Sequence, residues 1–326
     1  MAYDLSIVIP SRNERFLRNT IDDILDKIRG NTQVIAVLDG AWAEPQIKDD
    51  PRVILIHNTE AVGQRAACNQ AVSISRAKYV AKCDAHCGFD EGFDVKLMAD
   101  MHDDWTMVPI MRNLHAFDWK CKSCGYSMYQ GPTPGTKNSK VNECPKCKAK
   151  DWKRDFKWIG KTNPQADSYC FNTEPQFQYF KEYRKRQEYK EMLKETGLTE
   201  SMSLQGSFFM LTREKYWELE ICNEEFGSWG SQGIEVAVKT WLSGGRVMVS
   251  HKTWYAHMFR TQGGDFGFPY PQSDRKIKEA RRYAKDLFLG NNWDQAIHPI
   301  SWLLKKFMPV SNWSAEDVAK LEQNTK

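Results

Sequence analysis

Residues 79–87 read Tyr79-Val80-Ala81-Lys82-Cys83-Asp84-Ala85-His86-Cys87. The run from Tyr79 to Lys82 has the length of a buried strand, and just beyond it stand a carboxylate and an imidazole two positions apart. Upstream, Ala66 to Ala77 has helical spacing and feeds that strand. Leu5 to Pro10, Val34 to Leu38 and Val53 to Ile56 are three more short apolar runs. Between the first two, Phe16, Ile21, Ile24, Leu25 and Ile28 recur at helical spacing until Gly30. Short strands alternating with amphipathic helices predict an α/β fold, a mostly parallel sheet flanked by helices. Ligands of such sheets bind at the carboxyl ends of the strands, so Asp39 and Asp84 are expected in one crevice.

Beyond the strand expected at Thr106 to Met111 the pattern breaks, and a segment rich in Lys, Cys, Gly and Pro runs to about Asp155. The sheet-like reading resumes with a strand at Ser207 to Leu211, a helix from about Ile234 to Leu242 and a strand at Arg246 to Val249, with His257 close behind. A helical run from Lys276 to Leu289 puts Ala280, Tyr283, Ala284, Leu287 and Phe288 on one face. The chain is therefore divided into residues 1–117, an insertion at 118–158, a second half at 159–272 and a helical tail at 273–326.

With 326 residues, 41% hydrophobic and 27% charged, the composition is that of a globular protein and excludes fibrous and disordered classes. No run of eighteen apolar residues and no leader pattern is read, so the expectation is a cytoplasmic protein with no membrane partner. Nine cysteines include Cys121-Lys122-Ser123-Cys124 and Cys144-Pro145-Lys146-Cys147, nineteen residues apart. That spacing suits a closed four-thiolate Zn2+ site of structural type, a zinc ribbon. Cys68, Cys83, Cys87, Cys170 and Cys222 read as ordinary core or surface residues. Between Trp119 and Trp158 ten Lys/Arg stand against three Asp/Glu, interleaved with Tyr126, Tyr129 and Trp152. Such a mixture suits phosphates and stacked bases, and plain scaffolding is the alternative.

The stretches Ser6 to Glu14, Val37-Leu38-Asp39-Gly40, Gly63 with Ala67, Asn69 and Ala71, and Tyr79 to Cys87 stand in an order that resembles the nucleotide-binding half of GT-A glycosyltransferases. Asp84-Ala85-His86, Trp229-Gly230-Ser231-Gln232-Gly233-Ile234-Glu235, Gly244-Gly245 and His257-Met258-Phe259-Arg260 resemble motifs of the polypeptide N-acetylgalactosaminyltransferases. The resemblance covers about two hundred residues and skips the insertion. It implies a GT-A fold in which Asp84, His86 and His257 hold Mn2+ or Mg2+ on the pyrophosphate of a UDP-sugar. It further implies that Pro10, Asn13, Glu14, Asp39, Arg65, Asp84 and Gly206 bind the donor, with Asp39 on the uridine.

Arg260 is the candidate cation for the leaving group, and a plain surface ion pair is its other reading. Asp39 has a second reading as a turn former before Gly40. The family's first Glu in the Trp-Gly-Gly-Glu motif falls on Gln232, an amide that cannot ionise, while Glu235 matches the later Glu. Glu235 then orients the acceptor or braces its helix. The loop Thr261 to Pro271 has the composition of a lid.

The resulting expectation is a metal-dependent, retaining hexosyl- or N-acetylhexosaminyltransferase that uses a UDP-sugar and acts on a hydroxyl. The basic ribbon favours a nucleic-acid acceptor, for instance a hydroxymethylpyrimidine in DNA; a protein Ser/Thr acceptor follows from the resemblance. A catalytically dead GT-A scaffold that binds nucleic acid through its ribbon is the contrasting reading.

Overall fold

The computed structural model describes residues 3–260, 264–270 and 273–323. Strands β1 (Leu5–Ser11), β2 (Thr32–Asp39), β3 (Val53–Asn58) and β4 (Tyr79–Cys83) alternate with helices α1 (Leu17–Lys27) and α2 (Gln64–Ile74). Next come β5 (Cys87–Phe89), α3 (Phe93–Met98), β6 (Trp105–Cys121), β7 (Ser127–Tyr129) and β8 (Trp152–Ala166). The hairpin β9 (Tyr169–Phe171) and β10 (Phe177–Tyr179) precedes α4 (Gln187–Thr196), β11 (Leu198–Glu200), β12 (Phe208–Thr212) and α5 (Arg213–Glu218). The chain ends with α6 (Gln232–Leu242), β13 (Arg246–His257), α7 (Asp274–Ala284), α8 (Ile300–Phe307) and α9 (Ala315–Gln323).

The main sheet runs β11-β13-β6-β12-β4-β1-β2-β3. The pairs β1/β2, β1/β4, β2/β3 and β6/β13 are parallel, whereas β12 lies antiparallel between β4 and β6. Side chains alternate across the sheet as the pleat requires. On β1, Ile7 and Ile9 face a core with α1, and Val8 faces the core that holds α2, α6 and α8. All three are at most 1% exposed; burying such a side chain contributes about 1.5–3 kcal/mol. The tail belongs to this second core, because Ile300, Leu303, Leu304 and Phe307 of α8 pack with Trp241 and Leu242 of α6.

The structure departs from the sequence reading in the length of two strands. β6 continues to Cys121 and β13 to His257, so the division expected at residue 118 falls inside β6. The polar residues Asn113, His115, Asp118 and Lys120 look like a loop in sequence. They are a strand because β13 pairs with Asn113 and β8 and β7 pair with the others, while Leu114, Phe117 and Trp119 bury their other side against Phe16, Met258 and Phe266. The insertion is thus a ribbon that grows out of the central sheet. The expected helix from Lys276 ends its α-helical course at Ala284 and continues to Leu289 as a π-helical turn.

Candidate active site

Three register relations assemble the site. β4 carries Asp84 at its carboxyl end, and the Asp84 backbone N–H donates to Ser207 O at 2.8 Å, which brings the Gln205-Gly206 turn alongside. β5 runs antiparallel to β13 with Cys87 opposite His257. The Met258 N–H then donates to His86 O at 3.2 Å, so His86 and His257 are neighbours although 171 residues separate them. Asp84, His86 and His257 offer one carboxylate and two imidazoles whose ligand atoms all lie within 4.8 Å of one another.

The electrostatics of this cluster are set by its partners. His86 Nε2 lies 3.0 Å from His257 Nε2, and Asp84 Oδ2 lies 3.2 Å from that same His257 nitrogen. On its other side His86 Nδ1 meets Glu14 Oε2 at 3.1 Å. A carboxylate at Nδ1 fixes the proton there and leaves the Nε2 lone pair facing the cluster, the arrangement that orients metal-ligating imidazoles. Burial pushes His257 down to about 4, with the nearby charge of His86 adding to it and Asp84 opposing. The imidazole is therefore neutral and able to ligate near neutral pH. Burial alone would raise Asp84, but Lys82, His257 and His86 overcome it and hold the carboxyl well below its ordinary range. Lys82 is fully buried, ion-paired with Asp84, and donates to Gly206 O at 2.7 Å. A donor set of one carboxylate and two imidazoles fits a divalent cation of the Mn2+ type.

The cluster forms the floor of a 490 Å3 cavity that Pro10, Glu14, Asp39 and Arg260 also line. That volume lies within the range of small-molecule sites. The Asp39 carboxylate accepts the backbone N–H groups of Val62 at 2.7 Å and Gly63 at 3.0 Å, and Asn58 Nδ2 at 3.3 Å. It therefore both clamps the loop before α2 and faces the cavity. Gly63, at φ +101°, makes this approach possible, since a Cβ there would stand 2.7 Å from Ser228 Cβ. Arg260 reaches the cavity, but its guanidinium is taken by Glu14 and by Gly267 O, and it stands 5.5 Å over the Phe16 ring.

Other predicted site residues lie elsewhere. Asn13 lines an adjacent cavity, with its Nδ2 donating to Pro269 O at 3.2 Å. Gly206 and Gln232 line a third cavity that shares Asp84, Gln205 and Trp229 with the first. Gln232 donates from Nε2 to Cys222 Sγ at 3.0 Å, while its buried Oε1 has no partner among the described residues. Arg65 does not reach the first cavity: it is 1% exposed, paired with Glu235, and donates to Gly230 O at 2.7 Å. Glu235 is fully buried and also accepts from the Asn223 N–H at 2.9 Å and from Lys239 at 3.4 Å. The physical reason is the same for both: two opposite charges on facing helices satisfy each other inside the core.

Sequence reasoning gave no role to Lys82, Gln64, Ser228 or Lys276, all of which border the first or third cavity. Only Lys82 left a signal, a cation two positions before an Asp at the end of a buried strand. Of the expected lid, residues 261–263 and 271 lie outside the described residues. Phe266 is 3% exposed and packs on Phe117, whereas Phe268 and Tyr270 face the cavity.

The four cysteines of the insertion converge. Cys121 Sγ lies 3.6 Å from Cys147 Sγ, Cys124 Sγ lies 3.6 Å from Cys144 Sγ, and all four sulfurs are within 4.8 Å of one another. These separations are too long for disulfides and close to the edge, about 3.8 Å, of a tetrahedron with zinc–sulfur bonds of about 2.3 Å.

Comparison with known proteins agrees with this architecture. Residues 6–119 match the family described as Glycosyl transferase family 2. A Drosophila melanogaster protein provisionally named polypeptide N-acetylgalactosaminyltransferase 13 is 25% identical over 85% of this chain and 45% of its own length. An uncharacterized glycosyltransferase of Methanocaldococcus jannaschii is 36% identical over 25% of this chain and 31% of its own length. The chain thus spans less than half the length of these curated relatives. The crystal structure of GalNAc-T7 with UDP, GalNAc and Mn2+ superposes with a TM-score of 0.61 at 13% identity, covering 98% of this chain and 54% of that one. Among the described residues no helix is long and apolar enough to cross a membrane. The chain carries the GT-A glycosyltransferase fold, with a Glycosyl transferase family 2 match over residues 6–119 and a four-cysteine cluster in its insertion.

Proposed function

We propose that the protein is a metal-dependent glycosyltransferase that moves a hexose or N-acetylhexosamine from a UDP-sugar to a hydroxymethylpyrimidine of DNA, with retention at the sugar carbon. The observation that carries the reading is the carboxylate and two imidazoles on the floor of a nucleotide-sized cavity at the carboxyl ends of the strands. Asp84, His86 and His257 would hold the divalent cation, and Cys121, Cys124, Cys144 and Cys147 a structural Zn2+. The divalent cation, when bound, offsets the negative charge that grows on a departing nucleoside diphosphate.

The remaining work falls to side chains. Glu14 fixes the tautomer of His86 and neutralises Arg260. Of about four acceptor positions on a carboxylate, Asp39 has three engaged by Val62, Gly63 and Asn58, which leaves room for one imide N–H of a uracil ring. Trp229 and Tyr270 supply aromatic wall to the cavity. Gln232 offers an unpartnered carbonyl oxygen beside Gly206, suited to orient a sugar or acceptor hydroxyl without taking its proton. In the retaining, front-face reaction the leaving phosphate takes that proton.

The similarity to polypeptide N-acetylgalactosaminyltransferases favours a second acceptor, a protein Ser or Thr hydroxyl. The test is mass spectrometry of hydroxymethylcytosine DNA and of a Ser/Thr-rich peptide pool after incubation with the protein, Mn2+ and a panel of UDP-sugars. A sugar-sized gain on DNA supports the proposal, and a gain on peptide alone replaces it with the second reading. Absence of both gains, together with no melting shift on adding UDP and Mn2+, would leave a non-catalytic scaffold.

A further inference from the structure

The donor cavity does not end at Arg260. A second hollow of 360 Å3 shares Arg260 and Phe268 with it, and a third of 390 Å3 shares Arg15 and Arg154 with the second. Together they form one groove that leads from the metal cluster, past the start of α1, onto the insertion ribbon. Arginines recur along it at every third position: Arg12 at the cavity mouth, Arg15 in the second and third hollows, and Arg18 in the third. Arg154 of β8 borders the same two hollows as Arg15.

These charges have only long ion pairs, although the Arg154 guanidinium also lies 4.7 Å over the Trp119 ring. Arg15 and Arg154 share one carboxylate, Asp265, at 4.0 and 3.5 Å. Arg18 stands 3.7 Å from Asp22, whose closer partner is Lys48 at 2.8 Å. Charge-assisted hydrogen bonds are about 2.7–2.9 Å long, so the three guanidiniums keep most of their donors for another anion. The buried Nε of Arg154 has no acceptor among the described residues. Around the two outer hollows four arginines, Arg15, Arg18, Arg154 and Arg260, stand against three carboxylates, Asp22, Glu44 and Asp265. At the far end Phe156 is 51% exposed, its ring edge-on to the buried Phe16 and Phe117 at 6.4 Å. It presents a fixed π-face beside the guanidiniums.

We infer that this groove is the track of the acceptor: Arg15, Arg18 and Arg154 hold consecutive phosphates of a DNA strand, and Phe156 stacks on an unstacked base. The inference rests on the DNA reading above and deepens it. Cations that follow one groove beside an aromatic platform match a phosphodiester backbone, and the sunken position of Asp84 and His257 requires a target base to leave its stack to reach them.

The test is fluorescence anisotropy of labelled hydroxymethylcytosine duplex with the full chain across a salt series. Each lost phosphate contact lowers the slope of log K against log salt by about 1. Arg15→Gln/Arg18→Gln should therefore lower it by about 2, for every DNA sequence tried. Phe156→Ala should weaken binding without changing the slope, and it tests the groove independently should the double variant fold poorly. Both variants binding DNA with wild-type affinity and slope would overturn the groove while the DNA reading stands. A wild-type protein that binds labelled polyglutamate as tightly as DNA would make the groove an acidic-peptide site. No DNA binding by the wild type at low salt would overturn both the groove and the reading beneath it.

Discussion

Arg65 and Glu235 lie 170 positions apart in sequence and form an ion pair with 1% and 0% of their side chains exposed. The pair joins the start of α2, which borders the first cavity, to the first turn of α6, which borders the cavity beside it. Glu235 also balances the buried ammonium of Lys239. Removing its charge would leave two cations in the core, and breaking such a pair costs about 3–5 kcal/mol. Glu235→Gln should lower the stability measured by urea melts by that much, with loss of activity following loss of folded protein. A variant of wild-type stability that no longer transfers sugar would instead make Glu235 a catalytic group.

Glu14 acts on the cluster through His86. Glu14→Gln keeps an acceptor for the His86 Nδ1–H but withdraws the charge that holds it and that pairs with Arg260. Loss of such an outer partner lowers metal affinity by about 10–100-fold. A Mn2+ titration followed by calorimetry should show that drop, while His257→Ala should abolish binding altogether. Wild-type affinity in both would remove the metal from this cluster.

The parts of the site that could be read in the sequence are those tied to strand ends. Asp39 and Asp84 stand at the ends of short apolar runs, and a parallel sheet brings such ends to one edge; in the sequence His86 and His257 are joined to Asp84 only by the resemblance of their motifs. Arg65, Gln232 and Glu235 could not be placed this way. A charge on an amphipathic helix has the same local pattern whether it faces a ligand or a partner 170 residues away, and only the packing of α2 on α6 decides. The reach of β6 was hidden for a related reason. His115 and Asp118 owe their strand conformation to β7 and β8, and Asn113 to β13, all of which lie beyond them in the chain.

Asp23 gives the fold a pH dependence. It accepts the Phe89 N–H at 2.7 Å, and burial pushes its pKa from 3.8 up to about 7. Because the folded-state value is raised, the folded protein holds this proton more tightly than the unfolded chain. The associated stability is complete below 3.8 and is lost as pH rises toward 7. Asp23→Asn, which retains an acceptor for Phe89, should therefore stabilise the protein at about pH 8 by on the order of 1–2 kcal/mol, less than the full shift implies because the group is partly solvated. The gain should vanish near about pH 4, as urea melts at the two pH values would reveal.

The cysteine cluster makes a prediction confined to the ribbon. The amides of Cys121 and Gly125 bond to Tyr126 O and Cys121 O, and those of Cys144 and Lys148 to Ala149 O and Cys144 O, within the two turns that aim the thiols inward. Zinc bound by four thiolates would fix both turns at once, so its free energy would be folding free energy for this segment. Cys144→Ser should lose the metal and release these four amides to rapid hydrogen exchange. The amides of Phe208 to Leu211, held between β4 and β6 in the central sheet, should stay protected. Zinc assay and exchange mass spectrometry on the same sample check both halves. If the metal is absent from the wild type and the four amides are already protected, the turns are stabilised by their backbone bonds and by the packing of Trp119 and Trp152 on the ribbon's inner face. If protection instead collapses throughout the chain, the ribbon is a folding requirement for the sheet from which it extends.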